Sequence, residues 1–300
     1  DIIVYPAHGA GSSCGKNLSK ETFSTLGIQK KTNYALRENM SKQEFISELL
    51  DGMPTPPRYF KENALMNKHG YNSFDDVIRQ GDRALDISEF KNFLLNPDII
   101  LLDVRHQKDF IKKHIPNSIF IGLNGSFAPW VGSIIGDTNK KIILITPKGK
   151  ENEAVTRLSR VGFDNCLGYL KGGVEKWEKD GNSISSLETI KSKNFIDVLK
   201  LNKINILDVR KESEFSSKHI EGATNIPLRL LSSRFQEVKV DENLYVHCAG
   251  GYRSVIAISI LRKKGYNGMI NITEGFNEIL KSDLNENCYN STLEASCNNI

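Results

Sequence analysis

Short apolar runs alternate with longer helix-like segments along most of the chain. Between residues 190 and 285, the runs INILDV, ATNIP and NLYVH are rich in β-branched residues and predict strands. The segments NFIDVLKLN, SEFSSKH and SVIAISILRKKG carry the spacing of helices. Arg262, Lys263 and Lys264 fall in the last turn of the final helix and Gly265 follows, as suits a negative helix end and a left-handed cap. This alternation predicts an α/β fold, a mostly parallel sheet with helices on both faces.

The pattern occurs twice in the chain. The segment LDVRHQKDFIKKHIPNSIFIGL from Leu102 aligns without a gap with LDVRKESEFSSKHIEGATNIPL from Leu207. The similarity resumes with a small shift at Leu158 and Leu261, where LSRVGF matches LRKKGY. A repeat of roughly 100 residues is a whole domain and not a solenoid unit. We therefore predict two related domains, at residues 86–185 and 190–285.

Residues 1–85 differ from both copies. The strand-like start DIIVYP leads into the loop AHGAGSSCGK, and the helix SKQEFISELL follows, with Ser41 and Glu44 at the spacing of a capping box. GMPTPPRYF is typical of a proline-rich connector. The region is too poor in strands for a self-standing α/β domain, and a start on a strand at Asp1 predicts a piece of a longer protein. The polar tail, residues 286–300, is predicted to be disordered.

Composition narrows the function classes. The 300 residues, 39% of them hydrophobic and 25% charged, fit a globular protein of about two domains. A net charge of +4 without a basic stripe argues against nucleic acid as a partner. No apolar run approaches the roughly 20 residues of a membrane span, and no signal segment opens the chain. The irregular, odd set of cysteines disfavours a disulfide framework and predicts a cytoplasmic protein. These cysteines are Cys14, Cys166, Cys248, Cys288 and Cys297.

The strongest candidate for chemistry is the segment VHCAGGYRS, between a predicted strand and a predicted helix. The N–H groups of a tight glycine-containing loop and of a helix start form an anion-binding nest, which stabilises a thiolate or a persulfide. Gly250 and Gly251 let the loop turn back on itself, and Arg253 can neutralise charge and hold the loop. We therefore predict that Cys248 is a catalytic nucleophile and not a buried structural cysteine. The predicted persulfide-binding loop comprises Ala249, Gly250, Gly251, Tyr252, Arg253 and Ser254.

Three segments, LDVR at Leu207, HIEGATNIP at His219 and CAGGYRS at Cys248, carry a family likeness. Through them the second copy resembles the rhodanese family of sulfurtransferases over its full length. The resemblance implies that Cys248 takes a sulfane sulfur from thiosulfate or from a small persulfide, such as that of glutathione or coenzyme A. It then passes the sulfur to a thiol, sulfite or cyanide. Asp208 and His219 are expected to serve structure; Arg210 either attracts an anionic donor or, as we favour, is a solvated surface arginine.

The first copy lacks the nucleophile. Its counterpart segment is IILITPKGKENEAV, where Thr146 or Ile145 stands in place of the cysteine. Pro147 removes an N–H group that the nest would use, and Glu151 and Glu153 add negative charge where an anion would lie. We interpret this copy as a non-catalytic rhodanese domain, with a docking, dimerisation or shape role left open.

Residues 1–85 also carry a likeness, through VYPAHGAGSSCGK, TNYALRENMSKQEFISELL, PTPPRYF and ALMNKHGY. They resemble the C-terminal part of a metallo-β-lactamase-fold domain, as it precedes two rhodanese domains in persulfide dioxygenase–rhodanese fusion proteins. Such fusions oxidise persulfides at a mononuclear non-haem iron. The motif His-x-His-x-Asp-His is absent from this sequence. We therefore expect no cofactor and no dioxygenase activity in this chain alone, with iron only in the complete fusion and His8 as a minor candidate metal ligand.

Two other function classes compete with the sulfurtransferase. The first is a non-enzymatic scaffold built on both copies, which a complete cysteine loop disfavours. The second is a cysteine phosphatase, whose C-x5-R loop would need arginine at the position of Ser254, whereas Arg253 gives C-x4-R. The sequence leaves open the physiological donor and acceptor, a homo-oligomeric state and the roles of Cys288 and Cys297.

Overall fold

The structure, a computed structural model, forms two compact units, Asp1–Pro56 and Pro57–Ile300. The described residues are 1–6, 21–51, 59–201, 204–239, 243–281 and 289–290. Within these ranges, no helix combines the length and the apolar character that crossing a membrane requires.

The first unit consists of a two-stranded antiparallel ribbon and short helices. Its elements are β1 (Ile3–Val4), β2 (Ser24–Thr25), α1 (Leu26–Thr32), a 3-10 turn (Tyr34–Leu36) and α2 (Lys42–Leu50). The predicted capping box is confirmed, since Ser41 Oγ accepts from the Glu44 N–H and the Glu44 carboxylate accepts from the Ser41 N–H. Among the described residues of this unit, no apolar side chain is fully buried.

The second unit contains both copies of the repeat. It opens with α3 (Tyr59–His69) and α4 (Phe74–Gly81). The first copy continues with β3 (Ala84–Leu85), α5 (Ile87–Leu94), β4 (Ile100–Asp103), α6 (Gln107–Lys112), β5 (Ile119–Phe120), α7 (Phe127–Ile134), β6 (Ile142–Ile145), α8 (Glu151–Ser159), β7 (Cys166–Leu170) and α9 (Gly173–Lys179). The second copy comprises β8 (Glu188–Lys191), α10 (Ser192–Leu201), β9 (Asn205–Asp208), α11 (Glu212–Ser217), β10 (His219–Ile220), β11 (Thr224–Asn225), α12 (Leu228–Arg234), a 3-10 turn (Phe235–Glu237), β12 (Leu244–His247), α13 (Tyr252–Lys263), β13 (Met269–Thr273), α14 (Gly275–Ile279) and β14 (Tyr289–Asn290).

The two main sheets have the same topology. The strand order is β3-β7-β6-β4-β5 in the first copy and β8-β13-β12-β9-β11 in the second. All pairings within these sheets are parallel. Alternate strand residues enter different apolar clusters, Leu102 one and Leu101 another, because helices cover both faces. The predicted α/β fold with two related domains is confirmed.

One hydrophobic core joins the two copies. It contains Phe120 and Leu144 of the first copy together with Val246 and Ile256 of the second. Helix α13 packs on β12 and β13 of its own sheet and also on β5 of the first copy. All its residues from Ser254 to Leu261 are buried, because both of its sides face protein. The helix that follows the cysteine loop is therefore fixed by both domains.

Candidate functional site

Cys248 lies directly after the last residue of β12, at the carboxyl end of the sheet. Its side chain is only 1% exposed. The Cys248 carbonyl accepts from the Phe276 N–H at 2.7 Å, and the Ala249 carbonyl accepts from the Asn277 N–H at 3.0 Å. These bonds hold the loop carbonyl groups against the start of α14. Open parallel sheets place ligands at this edge, so the cysteine has the position expected of a reactive group.

The loop presents a backbone donor to the sulfur. The Gly251 N–H donates to Cys248 Sγ at 3.1 Å, and Gly251 is also the N-cap of the twelve-residue helix α13. The Ser254 hydroxyl lies 3.8 Å from the same sulfur and donates to the Gly251 carbonyl. A helix N-terminus carries partial positive charge, and this end of α13 lies beside the Cys248 sulfur. Of the predicted loop residues, Gly251 and Ser254 thus lie in direct contact with the sulfur.

Glycine is required at two positions around this loop. Gly251 has a φ of 82°, in the left-handed region that side chains with a Cβ disfavour. A Cβ on Gly275 would lie 2.4 Å from the Cys248 carbonyl oxygen, so only glycine permits the close approach of α14. Gly250, by contrast, is exposed, and a Cβ there would meet nothing within 4 Å.

Arg253 does not hold the loop as the sequence led us to expect. Its Nη1 and Nη2 both donate to the Glu214 carboxylate of α11, at 2.7 and 2.8 Å. Hydrogen bonds from Arg253 are the main cause that lowers the pKa of Glu214 to about 2, and the carboxylate raises the pKa of Arg253 in return. Sequence reasoning missed Glu214, although an acidic residue also occupies the matching position of the first copy, Asp109.

Arg210 is not a solvated surface arginine, so that expectation was wrong. It is 4% exposed, donates to both Asp208 carboxylate oxygens and also donates to the Lys218 carbonyl. Its guanidinium carbon lies 3.8 Å from the centre of the Phe276 ring. The Asp208 carboxylate, at the end of β9, neutralises the Arg210 charge locally, so the Arg210 side chain turns inward. Asp208 and Arg210 thus form a buried pair that ties β9 to the end of α11.

His247 lies beneath the loop and completes this buried polar layer. It is fully buried, and its Nε2 is 3.6 Å from Asp208 Oδ2, too far for a good hydrogen bond. Burial is the main cause that lowers the pKa of His247, and the nearby Asp208 charge opposes that effect. His219, the other histidine of this copy, stacks on Phe215 and contacts its carbonyl through Nδ1 at 2.9 Å.

A cavity of about 450 Å³ opens above Cys248, and both copies line it. The second copy contributes Cys248, Gly250, Tyr252 and Arg253. The first copy contributes Arg105, His106, Gln107, Gly122, Asn124, Gly125, Ser126 and Trp130. Sequence reasoning assigned no role to these residues of the first copy, because nothing in the chain order places them beside Cys248.

Tyr252 connects the loop to the first copy. Its hydroxyl donates to the Gly122 carbonyl at 3.2 Å, and its ring meets Phe120 edge-on. Burial raises the pKa of Tyr252 to about 12. A further bond joins the copies where the Phe120 N–H donates to Ser259 Oγ at 3.0 Å. The wall of the cavity is therefore fixed relative to the cysteine.

The equivalent place in the first copy is Thr146. Ile145 pairs with Asp103 in the register that His247 has with Asp208, so Thr146 and not Ile145 matches Cys248. Helix α8 begins only at Glu151, with Glu151 and Glu153 in its first turn. Cys166 is buried in β7, and burial raises the pKa of its thiol to about 12.

Some sequence-predicted residues lie outside the described ranges. These are His8, Cys14, Cys288 and Cys297. In the described part of the chain, no three His, Cys, Asp or Glu side chains are grouped so as to hold a metal ion. The side chains in this described part of the chain therefore do not fit an iron centre.

Comparisons with known proteins agree with the repeat. A family model described as Rhodanese-like domain matches residues 86–180 and 193–282. The protein YrkF of Bacillus subtilis strain 168 is 33% identical over 112 residues, which cover 37% of this chain and 58% of YrkF. Thiosulfate sulfurtransferase PspE of Escherichia coli K12 is 34% identical over 67 residues, which cover 22% of this chain and 64% of PspE.

A crystal structure of a metallo-beta-lactamase from Staphylococcus aureus is 30% identical, with 56% of this chain and 44% of that chain covered and a TM-score of 0.40. The chain spans less than two thirds of the length of each of these three proteins.

Proposed function

The chain belongs to the rhodanese-like domain family, and on this premise we propose that it is a sulfurtransferase whose nucleophile is Cys248. The observation that carries the proposal is the Gly251 N–H, which donates to Cys248 Sγ at 3.1 Å from the N-terminus of α13. A backbone donor on the sulfur stabilises negative charge on a thiolate and, after sulfur transfer, on a persulfide. In this proposal the glycine backbone, the buried Asp208–Arg210 pair and the cavity all support the chemistry of Cys248 Sγ.

The first half-reaction loads the enzyme. The Cys248 thiolate attacks the outer sulfur of thiosulfate, the Sγ–S bond forms, and sulfite leaves with the electron pair of the broken S–S bond. With an organic persulfide as donor, the corresponding thiolate leaves in place of sulfite. In the second half-reaction an acceptor thiolate or sulfite attacks the outer sulfur, and the Cys248 thiolate leaves.

Donor and acceptor are small sulfur compounds in this proposal: thiosulfate, sulfite, and the persulfides of glutathione or coenzyme A. The cavity of about 450 Å³ is larger than thiosulfate needs and fits part of an organic thiol. The similarity to PspE, which is named a thiosulfate sulfurtransferase, supports the class of reaction. We place the protein in the cytoplasm because its cysteines do not form a disulfide framework pattern.

We further propose that the chain is part of a persulfide dioxygenase fusion, in which iron belongs to the upstream domain. The order of segments and the likeness of residues 1–85 to a metallo-β-lactamase-fold remnant support this proposal. The chain alone should not consume oxygen with glutathione persulfide beyond the rate of added ferrous iron. Oxygen uptake above that control would overturn the assignment of iron to another part of the protein.

Phosphate chemistry is disfavoured by the loop. Its C-x4-R spacing is one residue shorter than a cysteine phosphatase needs to surround a tetrahedral dianion. The Arg253 guanidinium is also bound on two nitrogen atoms by Glu214, so it does not offer the bidentate grip that a phosphoryl group requires. We expect no measurable hydrolysis of an aryl phosphate.

The decisive test is intact-mass spectrometry after treatment with thiosulfate. We expect one added sulfur atom, mapped to Cys248 and removed by cyanide or by a thiol. Cys248→Ser should abolish the mass change and the sulfur transfer. Thr146→Ala is the matched control at the equivalent position of the first copy and should keep nearly full activity.

Two results would overturn the proposal. The first is phosphatase turnover without a detectable persulfide. The second is a loss of sulfur transfer in Thr146→Ala as large as that in Cys248→Ser, since this would mean that the first copy takes part in the chemistry.

A further inference from the structure

Both arginines that line the cavity above Cys248 are paired with carboxylates. Arg105 donates to both carboxylate oxygens of Asp103 and is 8% exposed. Arg253 donates through two nitrogen atoms to Glu214. The other residues that line this cavity are glycines, uncharged polar or apolar side chains, the Cys248 nucleophile and His106, whose Nδ1 accepts from the Lys108 N–H. Both cationic arginines of the cavity therefore already have a carboxylate partner.

The pairing of both arginines is unexpected for a site that receives anions. Thiosulfate is a dianion, and a free guanidinium beside the nucleophile would attract it strongly. Arg253 and Cys248 line the same cavity. The carboxylate of Glu214 cancels most of this attraction, because the two opposite charges lie 2.7 Å apart.

The position of the Glu214 carboxylate is fixed by a backbone hydrogen bond as well as by Arg253. This carboxylate also accepts from the Lys211 N–H at 3.0 Å, which closes the first turn of α11. The side chains of Glu214 and Arg253 are 32% and 17% exposed, so water screens the pair only in part. The pair joins two elements that lie 39 residues apart in sequence, α11 and α13.

We propose that Glu214 is a specificity-determining residue, which masks the charge of Arg253 and so weakens the preference of Cys248 for donors that carry two negative charges at the reacting sulfur group. This inference rests on the proposed function of Cys248. The masked site stabilises bound dianionic thiosulfate less than a free guanidinium would. A persulfide with a single charge at its sulfur loses little of this electrostatic stabilisation. Glu214 thereby shifts the balance between the two kinds of donor toward the organic persulfide.

The remaining charged groups nearby do not replace Glu214. Asp208 and Arg210 neutralise each other within the buried layer. Burial, the main influence on His247, lowers its pKa and so disfavours a charge there. Removal of the Glu214 charge therefore leaves Arg253 as the one arginine without a carboxylate partner among the described residues that line the cavity.

A pair of alkylating reagents tests the charge effect without any sulfur chemistry. Iodoacetate and iodoacetamide have nearly the same size and react in the same way, but only iodoacetate is an anion. Their rates at Cys248 are measured by peptide mass spectrometry at low ionic strength. In Glu214→Gln the ratio of the iodoacetate rate to the iodoacetamide rate should rise about threefold or more, and added salt should reduce the gain. The thiolate fraction cancels in this ratio.

Matched variants separate charge from fold. Glu212→Gln, on the same helix but paired with Arg229 away from the cavity, should leave the ratio unchanged. Glu214→Asp keeps the charge and should return the ratio toward the wild-type value. In an Arg253→Gln background, Glu214→Gln should lose most of its effect, because the cation to be unmasked is gone.

Steady-state kinetics provides the second readout. In Glu214→Gln the KM for thiosulfate should fall about threefold or more, with kcat within about a factor of two and a smaller change of KM for glutathione persulfide. An unchanged or lower alkylation ratio together with an unchanged or raised KM would overturn the proposal and leave Glu214 as a purely structural partner. Failure of the proposed function looks different: wild-type Cys248 would then take no sulfur from thiosulfate, while the alkylation ratio would still report the charge effect.

Discussion

Gly251 provides the sharpest test of how the backbone creates this site. We consider Gly251→Ala, with Gly250→Ala as the matched control in the same loop. Gly251 has a φ of 82°, and a Cβ there would lie 3.1 Å from the Glu274 nitrogen. Gly250 is outside the left-handed region and has open space around it. The two adjacent glycines thus differ in backbone conformation and in the space available for a Cβ.

The expected loss of stability in Gly251→Ala follows from the backbone geometry. A side chain in the left-handed region costs about 1–2 kcal/mol. The crowded contact with the Glu274 backbone adds to this cost. Alanine at Gly250 should be close to neutral, or up to ~1 kcal/mol stabilising, because it restricts the unfolded chain. We therefore expect Gly251→Ala to be about 2 kcal/mol less stable than Gly250→Ala, and to melt roughly 4–8 °C lower for a unit of this size.

The rate of sulfur loading should also be lower in Gly251→Ala than in Gly250→Ala. If the loop relieves the strain by turning the Gly251 peptide, the N–H leaves Cys248 Sγ, to which it donates at 3.1 Å. A hydrogen bond to a charged group contributes about 1.5–3 kcal/mol, so sulfur loading should slow by roughly tenfold or more. Thermal unfolding and the rate of persulfide formation by mass spectrometry are the assays. Equal melting temperatures and equal loading rates in the two variants would refute the strain argument.

Three further predictions concern the shared core and pH. Tyr252→Phe removes a hydrogen bond to the first copy and should lower the free energy of unfolding by about 0.5–1.5 kcal/mol, measured by urea titration. Ser259→Ala leaves the buried Phe120 N–H without its acceptor and should cost about 1–3 kcal/mol, whereas the exposed Ser233→Ala should cost little. Burial lowers the pKa of His114 from 6.5 to about 4, so its contribution to stability is complete above pH 6.5 and is lost as the pH falls toward 4. Urea midpoints across this range should fall in the wild type and fall less steeply in His114→Gln; equal slopes would contradict the assignment.

The sequence predicted features that depend on residues near one another in the chain. The cysteine after a strand, the glycines after the cysteine and the helix behind them are visible in VHCAGGYRS, because turn and cap geometry are local properties. Gly265 has the left-handed φ, 90°, that its place after the basic turn predicts. The agreement between the two sheets in strand order also follows from the repeat, since two similar sequences adopt the same topology, whereas the order itself is seen only in the structure.

Other features required strand register. The sequence left Thr146 and Ile145 as alternatives, because an alignment of short apolar runs can slip by one residue. The hydrogen-bonded register of β4 and β6 decides for Thr146. The burial of Arg210 was likewise misjudged: a charged residue after a strand is usually solvated, but here Asp208 and the Lys218 carbonyl surround its guanidinium.

The composition of the site was decided by the tertiary structure alone. Glu214 meets Arg253 across 39 residues, and Trp130 and Asn124 come to the cavity from the other copy. A linear pattern of apolar residues shows that α13 is hydrophobic on every side, but not which partner covers each side. That partner is the first copy, whose β5 packs on the helix and brings its loops over Cys248. Local sequence fixes the conformation of the nucleophile, whereas the charge and the walls around it come from long-range packing, because only the burial of apolar surface between the domains brings those distant residues together.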